Sequence, residues 1–220
     1  MRVLVFDVET TGLPIGKNPS ISDLDKWPYI VQLSYIMYDT NTNVIDLSYN
    51  EILKLPDYVE ISSESIKLHK ITEEINKQLG INRRIALQTF NRVLGRADII
   101  VGHNISFDKR MMMVECARNS VYHLFNHKGV KKIEYCTMKN SVDVCKIEKT
   151  SDNGKKYFKY PNLSELYYYL FGEVPENTHN SFVDVLLCLR CYVKLECDKD
   201  IKFINEDFRN MIECTSFATV

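Results

Sequence analysis

The chain has 220 residues, 45% hydrophobic and 26% charged, which is enough apolar sequence to bury a full core in one compact domain and excludes a disordered chain. Its formal net charge of −1 excludes the global basic footprint that dominates many binders of nucleic acid. No apolar run approaches the roughly 18 residues of a membrane span, and residues 1–6 reach Asp7 too soon for a secretory leader, so no membrane association is expected.

Residues 3–8, almost wholly apolar and bounded by the turn-like Thr10-Thr11-Gly12-Leu13-Pro14, read as a buried first strand. A Pro/Ser/Asp-rich loop with the single Trp27 follows, then two strand-like runs, 29–38 and 44–55, joined by a polar hairpin at 39–43. Ser62 or Ser63 caps a helical stretch that runs to Gly80 with one break, and Ala86 or Leu87, Phe90, Val93, Leu94 and Ala97 recur at helical spacing. A short buried strand at 98–102 precedes a helix over 107–118, and this alternation implies a βαβ crossover in a mixed sheet. Residues 133–137 read as a fifth strand. Residues 145–149 and 155–160 read as a surface hairpin about Asp152-Asn153-Gly154. Leu163, Leu166, Tyr167 and Leu170 share one helical face that Gly172 stops, and 182–193 is an all-round apolar, hence buried, helix. From Glu196 the chain reads as charged and irregular.

Seven scattered cysteines, odd in number, predict reduced thiols and an intracellular compartment, cytoplasmic or nuclear. Cys188 and Cys191 lie in the apolar helix and read as core rather than as a metal or redox pair.

Four acidic residues stand where burial makes them costly. Asp7 and Glu9 are two apart on the first strand and leave the same face. No Lys or Arg lies between Arg2 and Lys17, so a bound divalent cation is the economical neutraliser of that pair. Asp184 is the lone acid in the opening turns of the 182–193 helix. His179 sits on the loop just before it, placed as a mobile proton acceptor. Asp108 opens the helix after the Gly102-His103-Asn104 turn, the usual place for a ligand in an α/β sheet. Singly, each has a blander reading as a cap or a satisfied structural residue.

In this order the segments are more specific. Phe6-Asp7-Val8-Glu9-Thr10-Thr11-Gly12, Gly102-His103-Asn104-Ile105-Ser106-Phe107-Asp108 and His179-Asn180-Ser181-Phe182-Val183-Asp184 resemble the three motifs of the DEDDh 3′→5′ exonucleases, the family of polymerase proofreading exonucleases and their free-standing relatives. Residues 66–72 and 161–166 resemble further family segments. Histidine five residues before Asp184 matches the histidine branch.

The resemblance implies an α/β, ribonuclease H-like fold, a mixed five-stranded sheet flanked by helices, over residues 1–195, with 196–220 an unassigned C-terminal tail. It implies that Asp7, Glu9, Asp108 and Asp184 hold two Mg²⁺ or Mn²⁺ ions and that His179 is the general base. The product is then a nucleoside 5′-monophosphate. Thr10, Thr11, Gly12, Leu13, Asn104 and Phe107 would hold the terminal nucleotide, with Leu13 and Phe107 against the bases. The expected substrate is the 3′ end of single-stranded or frayed DNA, and proofreading would call for a polymerase or replication partner in trans. Ser181, where the family often has alanine, is a minor departure.

Two rival readings stand beside this one. Motifs do not fix contacts to a 2′-OH, so an exoribonuclease acting on RNA ends is the rival enzyme. A non-catalytic module that binds nucleic acid or a polymerase is the rival of another class, and it predicts folding indifferent to Mg²⁺. Lys146, Lys149, Lys155, Lys156 and Lys159 around the hairpin either contact phosphates or are a solvated loop, and Lys128, Lys131 and Lys132 form a smaller patch open to the same two readings.

Overall fold

The Val-rich first run forms β1 (Arg2–Thr10) and becomes the central strand of a mixed sheet. The computed structural model describes residues 1–127 and 129–217. Antiparallel to β1 runs β2 (Ile30–Asp39), and antiparallel to β2 runs β3 (Val44–Ile52). Their turn is drawn tight by the Asp39 carboxylate accepting from the Asn41 N–H at 2.8 Å and by Asn43 at φ 56°, a left-handed position that asparagine tolerates. The third run stops as a strand at Ile52, three residues before its apolar stretch ends.

The helical stretch divides into α1 (Ser63–His69), capped by Ser62, and α2 (Glu73–Leu79), capped by Thr72, with Lys70 at φ 64° between them. After α3 (Arg83–Arg96) comes β4 (Ile99–Gly102), parallel to β1, and then α4 (Ile105–Arg118), which begins two residues before its predicted start. A small ribbon of β5 (Asn126–His127) and β6 (Val130–Lys131) leads to β7 (Ile133–Cys136), parallel to β4. The five-stranded sheet thus has the order β3-β2-β1-β4-β7.

Two short helices, α5 (Thr137–Asn140) and α6 (Val142–Cys145), take Cys145 out of the predicted hairpin. The hairpin itself is shorter than predicted, β8 (Glu148–Thr150) with β9 (Lys156–Phe158). Asn162 and Glu165 form a capping box at the start of α7 (Leu163–Phe171), which Gly172 ends at φ 67°. The apolar helix is α8 (Ser181–Cys197), capped by Asn180.

Side chains alternate across β1. Leu4, Phe6 and Val8 face a core built with α3 and α4, while Val3 and Val5 face a second core built with α8. Asp7 and Glu9 continue the second face, so the pair emerges on the side of the helix that carries Asp184.

The expectation of an irregular tail is corrected. Residues after Asp198 form α9 (Ile201–Ile204) and α10 (Glu206–Phe217). Ile201, Phe208 and Ile212 join the second core, and the Asn205 side chain accepts from the Phe208 N–H at 2.7 Å. Phe208, Met211 and Ile212 carry an i, i+3, i+4 signal that the charged composition obscures. Arg190, buried on α8, ties this end down through paired bonds to Asp200 and Glu173.

All seven cysteines are unpaired thiols. Cys188 and Cys191 are buried in the second core, as the apolar reading expects. Of the smaller lysine patch, Lys128 lies outside the described residues, Lys131 is exposed, and Lys132 donates to the Ala97 carbonyl at 2.6 Å. Among the described residues no helix is long and apolar enough to cross a membrane.

One buried acid shows how this fold treats a structural carboxylate. Glu115 on α4 is 0% exposed and is met by Arg83 at 2.8 Å and Arg118 at 2.9 Å. Glu115→Gln removes the charge that compensates two guanidiniums, and denaturant unfolding is expected to show a loss of about 3–5 kcal/mol.

Candidate active site

The catalytic carboxylates expected from sequence are treated oppositely. Oxygens of Asp7, Glu9 and Asp184 lie within 4.8 Å of one another, and among the described residues none of the three, nor Asp108, forms an ion pair. Asp7 and Glu9 come from β1 and Asp184 from the first turn of α8. Asp108, buried in the first turn of α4, lies outside the tight triplet, yet its charge is felt by both Asp7 and Glu9.

Burial, then mutual repulsion, raises the proton affinity of the group. Asp7 is held well above the ordinary carboxylate range, by loss of water first and then by Asp108, Asp184 and Glu9. Glu9 is pushed up to about 9 by burial and by the charges of Asp184 and Asp108. Burial pushes Asp108 up to about 8, against the opposing pull of the Val8 backbone N–H. Asp184 is pushed up to about 7, again by burial, while the His179 N–H bonded to its Oδ2 at 3.3 Å pulls the other way. Four acids without a cation are a site that selects for one. A donor set made only of carboxylate oxygen suits a hard divalent ion.

His179 is exposed and holds φ 70°, a strained position for a non-glycine residue that needs surrounding structure to maintain it. That structure is polar and comes from β2. Gln32 Oε1 accepts from the Ser181 N–H at 3.2 Å, and the Ser34 and Ser181 hydroxyls are 2.6 Å apart. The serine at 181 therefore has a dedicated partner inside the fold. The His179 backbone touches the Asp184 carboxylate, while its side chain lines a cleft of about 440 Å³ with Asn50, His69 and Phe182.

The residues expected to hold a nucleotide divide into two kinds. Thr10 and Thr11 are buried, and their hydroxyls are spent on the turn: Thr10 donates to the Gly12 carbonyl at 2.7 Å, and Thr11 accepts from the Tyr29 N–H at 3.0 Å. Leu13, by contrast, is 84% exposed. With Asn104, Phe107, Trp27 and Arg110 it lines a second cleft, of about 390 Å³. Asn104 holds φ 65° and makes no side-chain capping bond to α4.

A family model described as Exonuclease (RNase T) matches residues 4–192. The chain belongs to the exonuclease family. Its mixed five-stranded sheet flanked by helices is ribonuclease H-like in fold. The fold is similar to E. coli exonuclease I in complex with a dT13 oligonucleotide, at 17% identity and a TM-score of 0.63 over 88% of this chain and 41% of that one. It is likewise similar to the same enzyme with dA16, at 17% identity and 0.61 over 88% and 40%. Product-bound exonuclease I matches at 16% identity and 0.64 over 92% and 45%. The chain thus spans about two fifths of the length of the exonuclease I chains it resembles. A direct comparison with curated proteins finds no match.

The sequence alone leaves His103 of this family member without a role. Its Nδ1 meets the Thr137 hydroxyl at 3.0 Å and its Nε2 the Pro161 carbonyl at 3.1 Å. Burial drives it down to about 4, so at neutral pH it is an uncharged brace between the turn that delivers Asp108, α5 and the entry to α7. Gln32 and Ser34 were missed as well. Their signal was two polar side chains in the apolar run of β2, both on the face that Asp7 and Glu9 share.

Proposed function

We propose that this exonuclease removes nucleotides one at a time from the 3′ end of single-stranded or frayed DNA, at a centre where Asp7, Glu9, Asp108 and Asp184 hold two Mg²⁺ or Mn²⁺ ions. The observation that carries the reading is the three-carboxylate grip with no cationic side chain paired to it among the described residues. Such ions supply the charge that lowers the pKa of the attacking water and steadies the leaving 3′ oxygen. His179 takes the proton of that water. It is exposed, and its backbone bond to Asp184 keeps it at the rim of the cluster. Leu13 and Phe107 offer apolar surface to the terminal base, Asn104 offers a free amide, and Thr10 to Gly12 contribute backbone rather than hydroxyls. No base preference is expected from stacking and backbone contacts. The choice of DNA rests on the likeness to exonuclease I solved with dT13 and dA16. Seven unpaired thiols fit an intracellular enzyme, cytoplasmic or nuclear, and a polymerase acting in trans is a partner that would present frayed ends.

The test is 5′-labelled single-stranded DNA beside RNA of the same sequence, each with Mg²⁺, Mn²⁺ or EDTA. A ladder shortening from the 3′ end, present with metal and absent in EDTA, is expected to be faster on DNA. His179→Ala is expected to slow it by about 10²–10⁴-fold with thermal unfolding unchanged. A folded protein that cuts neither strand would sink the enzymatic reading, and faster cutting of RNA would reassign the substrate.

A further inference from the structure

Among the described residues, the ribbon of β8 and β9 joins neither the main sheet nor any other, and a two-stranded ribbon is marginal in water by itself. It is held at its foot. The Lys159 N–H donates to the Ile147 carbonyl at 3.0 Å, Ile147 packs against the second core, and the Lys159 ammonium binds Glu165 on α7. Above that foot it carries three aromatic rings in four positions: Tyr157, Phe158 and Tyr160 are 47%, 42% and 58% exposed. Stability of the fold accounts for them only in part, because about half of each ring remains in contact with solvent.

The same segment is positively charged. Residues 146–160 hold five lysines against Glu148 and Asp152. Lys156 pairs with Glu148 at 3.3 Å and Lys159 with Glu165. Among the described residues, Lys146, Lys149, Lys155 and nearby Lys139 have no ion pair. Lys149 stands directly opposite Tyr157 across the ribbon, so charge and ring share one face. Between ribbon and helices runs a groove of about 610 Å³ lined by Lys139, Val142, Tyr157, Phe158, Lys159 and Tyr160.

We propose that this groove is a platform for the single-stranded DNA lying 5′-ward of the reacting nucleotide, an inference that rests on the exonuclease reading of the carboxylate site. Flat bases stack on the rings, and phosphates meet the unpaired lysines. Rings interleaved with cations are the complement of a strand that alternates bases with charge, and they track it without reading sequence. The groove is coupled to the chemistry by His103, which bonds Thr137 of α5 on one side and Pro161, next to Tyr160, on the other. His103 belongs to the turn that carries Asn104 and leads to Asp108, and its two partners are near Lys139 on one side and Tyr160 on the other, so the groove lies beside the turn of the carboxylate site.

The test uses the full chain, with Tyr157→Ala/Tyr160→Ala and Lys149→Ala/Lys155→Ala as variants. Binding of labelled oligothymidylate of about 20 residues is read by anisotropy in EDTA, apart from any catalysis. The aromatic variant is expected to bind about tenfold more weakly. The lysine variant is expected to flatten the slope of log affinity against log salt by about 1.4. With Mn²⁺, both variants should raise KM for the long strand and hydrolyse the p-nitrophenyl ester of thymidine 5′-monophosphate as the parent does, since the ester occupies only the carboxylate site. Unchanged affinity for the long strand in both variants would overturn the platform, as would displacement by polyglutamate as effective as by unlabelled oligothymidylate. A parent protein that binds the strand but cleaves neither substrate would instead overturn the exonuclease reading and leave the groove standing.

Discussion

Asp7→Asn is expected to cost at least about 10³-fold in kcat/KM, about 4 kcal/mol of transition-state stabilisation, while raising the stability of the metal-free protein. The two effects have one cause. Asp7 sits among Glu9, Asp108 and Asp184, each of which adds to the burial that already raises its proton affinity. Replacing its carboxylate by an amide of the same shape removes a like charge from a site with no cation. It also removes one of the proposed metal ligands. A gain of about 1 kcal/mol corresponds to a rise in Tm of about 2–4 °C in a chain of this size, read in EDTA by calorimetry. The contrast is Glu115, which the fold pairs with two arginines and whose neutralisation is expected to destabilise. If Asp7→Asn lowered the Tm as Glu115→Gln does, Asp7 would be a structural acid and the assignment of the cluster would fail.

Metal-free protein should lose several kcal/mol of stability between pH 5 and pH 9, and divalent cations should restore it. In the unfolded chain these carboxyls titrate near 4. In the folded chain Asp184, Asp108 and Glu9 are pushed up to about 7, 8 and 9, and Asp7 is raised as well. Between those limits the unfolded state has released protons that the folded state keeps, so the free energy of unfolding falls as pH rises. The contribution is fully present below about pH 4, falls progressively as pH rises above it, and is gone once pH has passed the folded values of about 7 to 9. Glu173, held low by its bond to Arg190, acts in the opposite sense and only at the acid end. Mg²⁺ or Mn²⁺ at about a hundredfold over its dissociation constant adds about 2.7 kcal/mol, with a larger shift at pH 8 than at pH 6 because bound ions displace the retained protons. Urea unfolding across this range, with and without metal, measures both slopes. A profile that is flat from pH 5 to 9 in EDTA, or indifferent to metal at pH 8, would favour a non-catalytic binding module.

Much of the site was legible because its cost is local. Two carboxylates of one face in an apolar strand, and a third alone in an apolar helix, are anomalies in any fold, and the residues between them add no neutralising charge. Strand alternation placed Asp7 and Glu9 opposite Phe6 and Val8, and the two cores confirm that division. Of the two serines offered as a cap at 62 and 63, Ser62 takes that place at the start of α1, and Gly172 ends α7 as its position predicts. The end of the chain was misread because charged residues dominate its composition, while its burial rests on a few positions, Ile201, Phe208 and Ile212.

By itself the sequence determined the alternating elements, the four acids and the histidine, since these follow from side-chain periodicity and from the cost of isolated charge. Only the tertiary structure decided which polar residues are partners. Gln32 and Ser34 steady the start of α8 from across 147 to 149 residues of chain. His103 braces a turn against Pro161, and Thr10 and Thr11 spend their hydroxyls on a turn rather than on a ligand. Such pairings depend on distances of a few ångströms between segments remote in sequence. No local propensity encodes them, and the packing of α8 on the sheet is what brings them into reach.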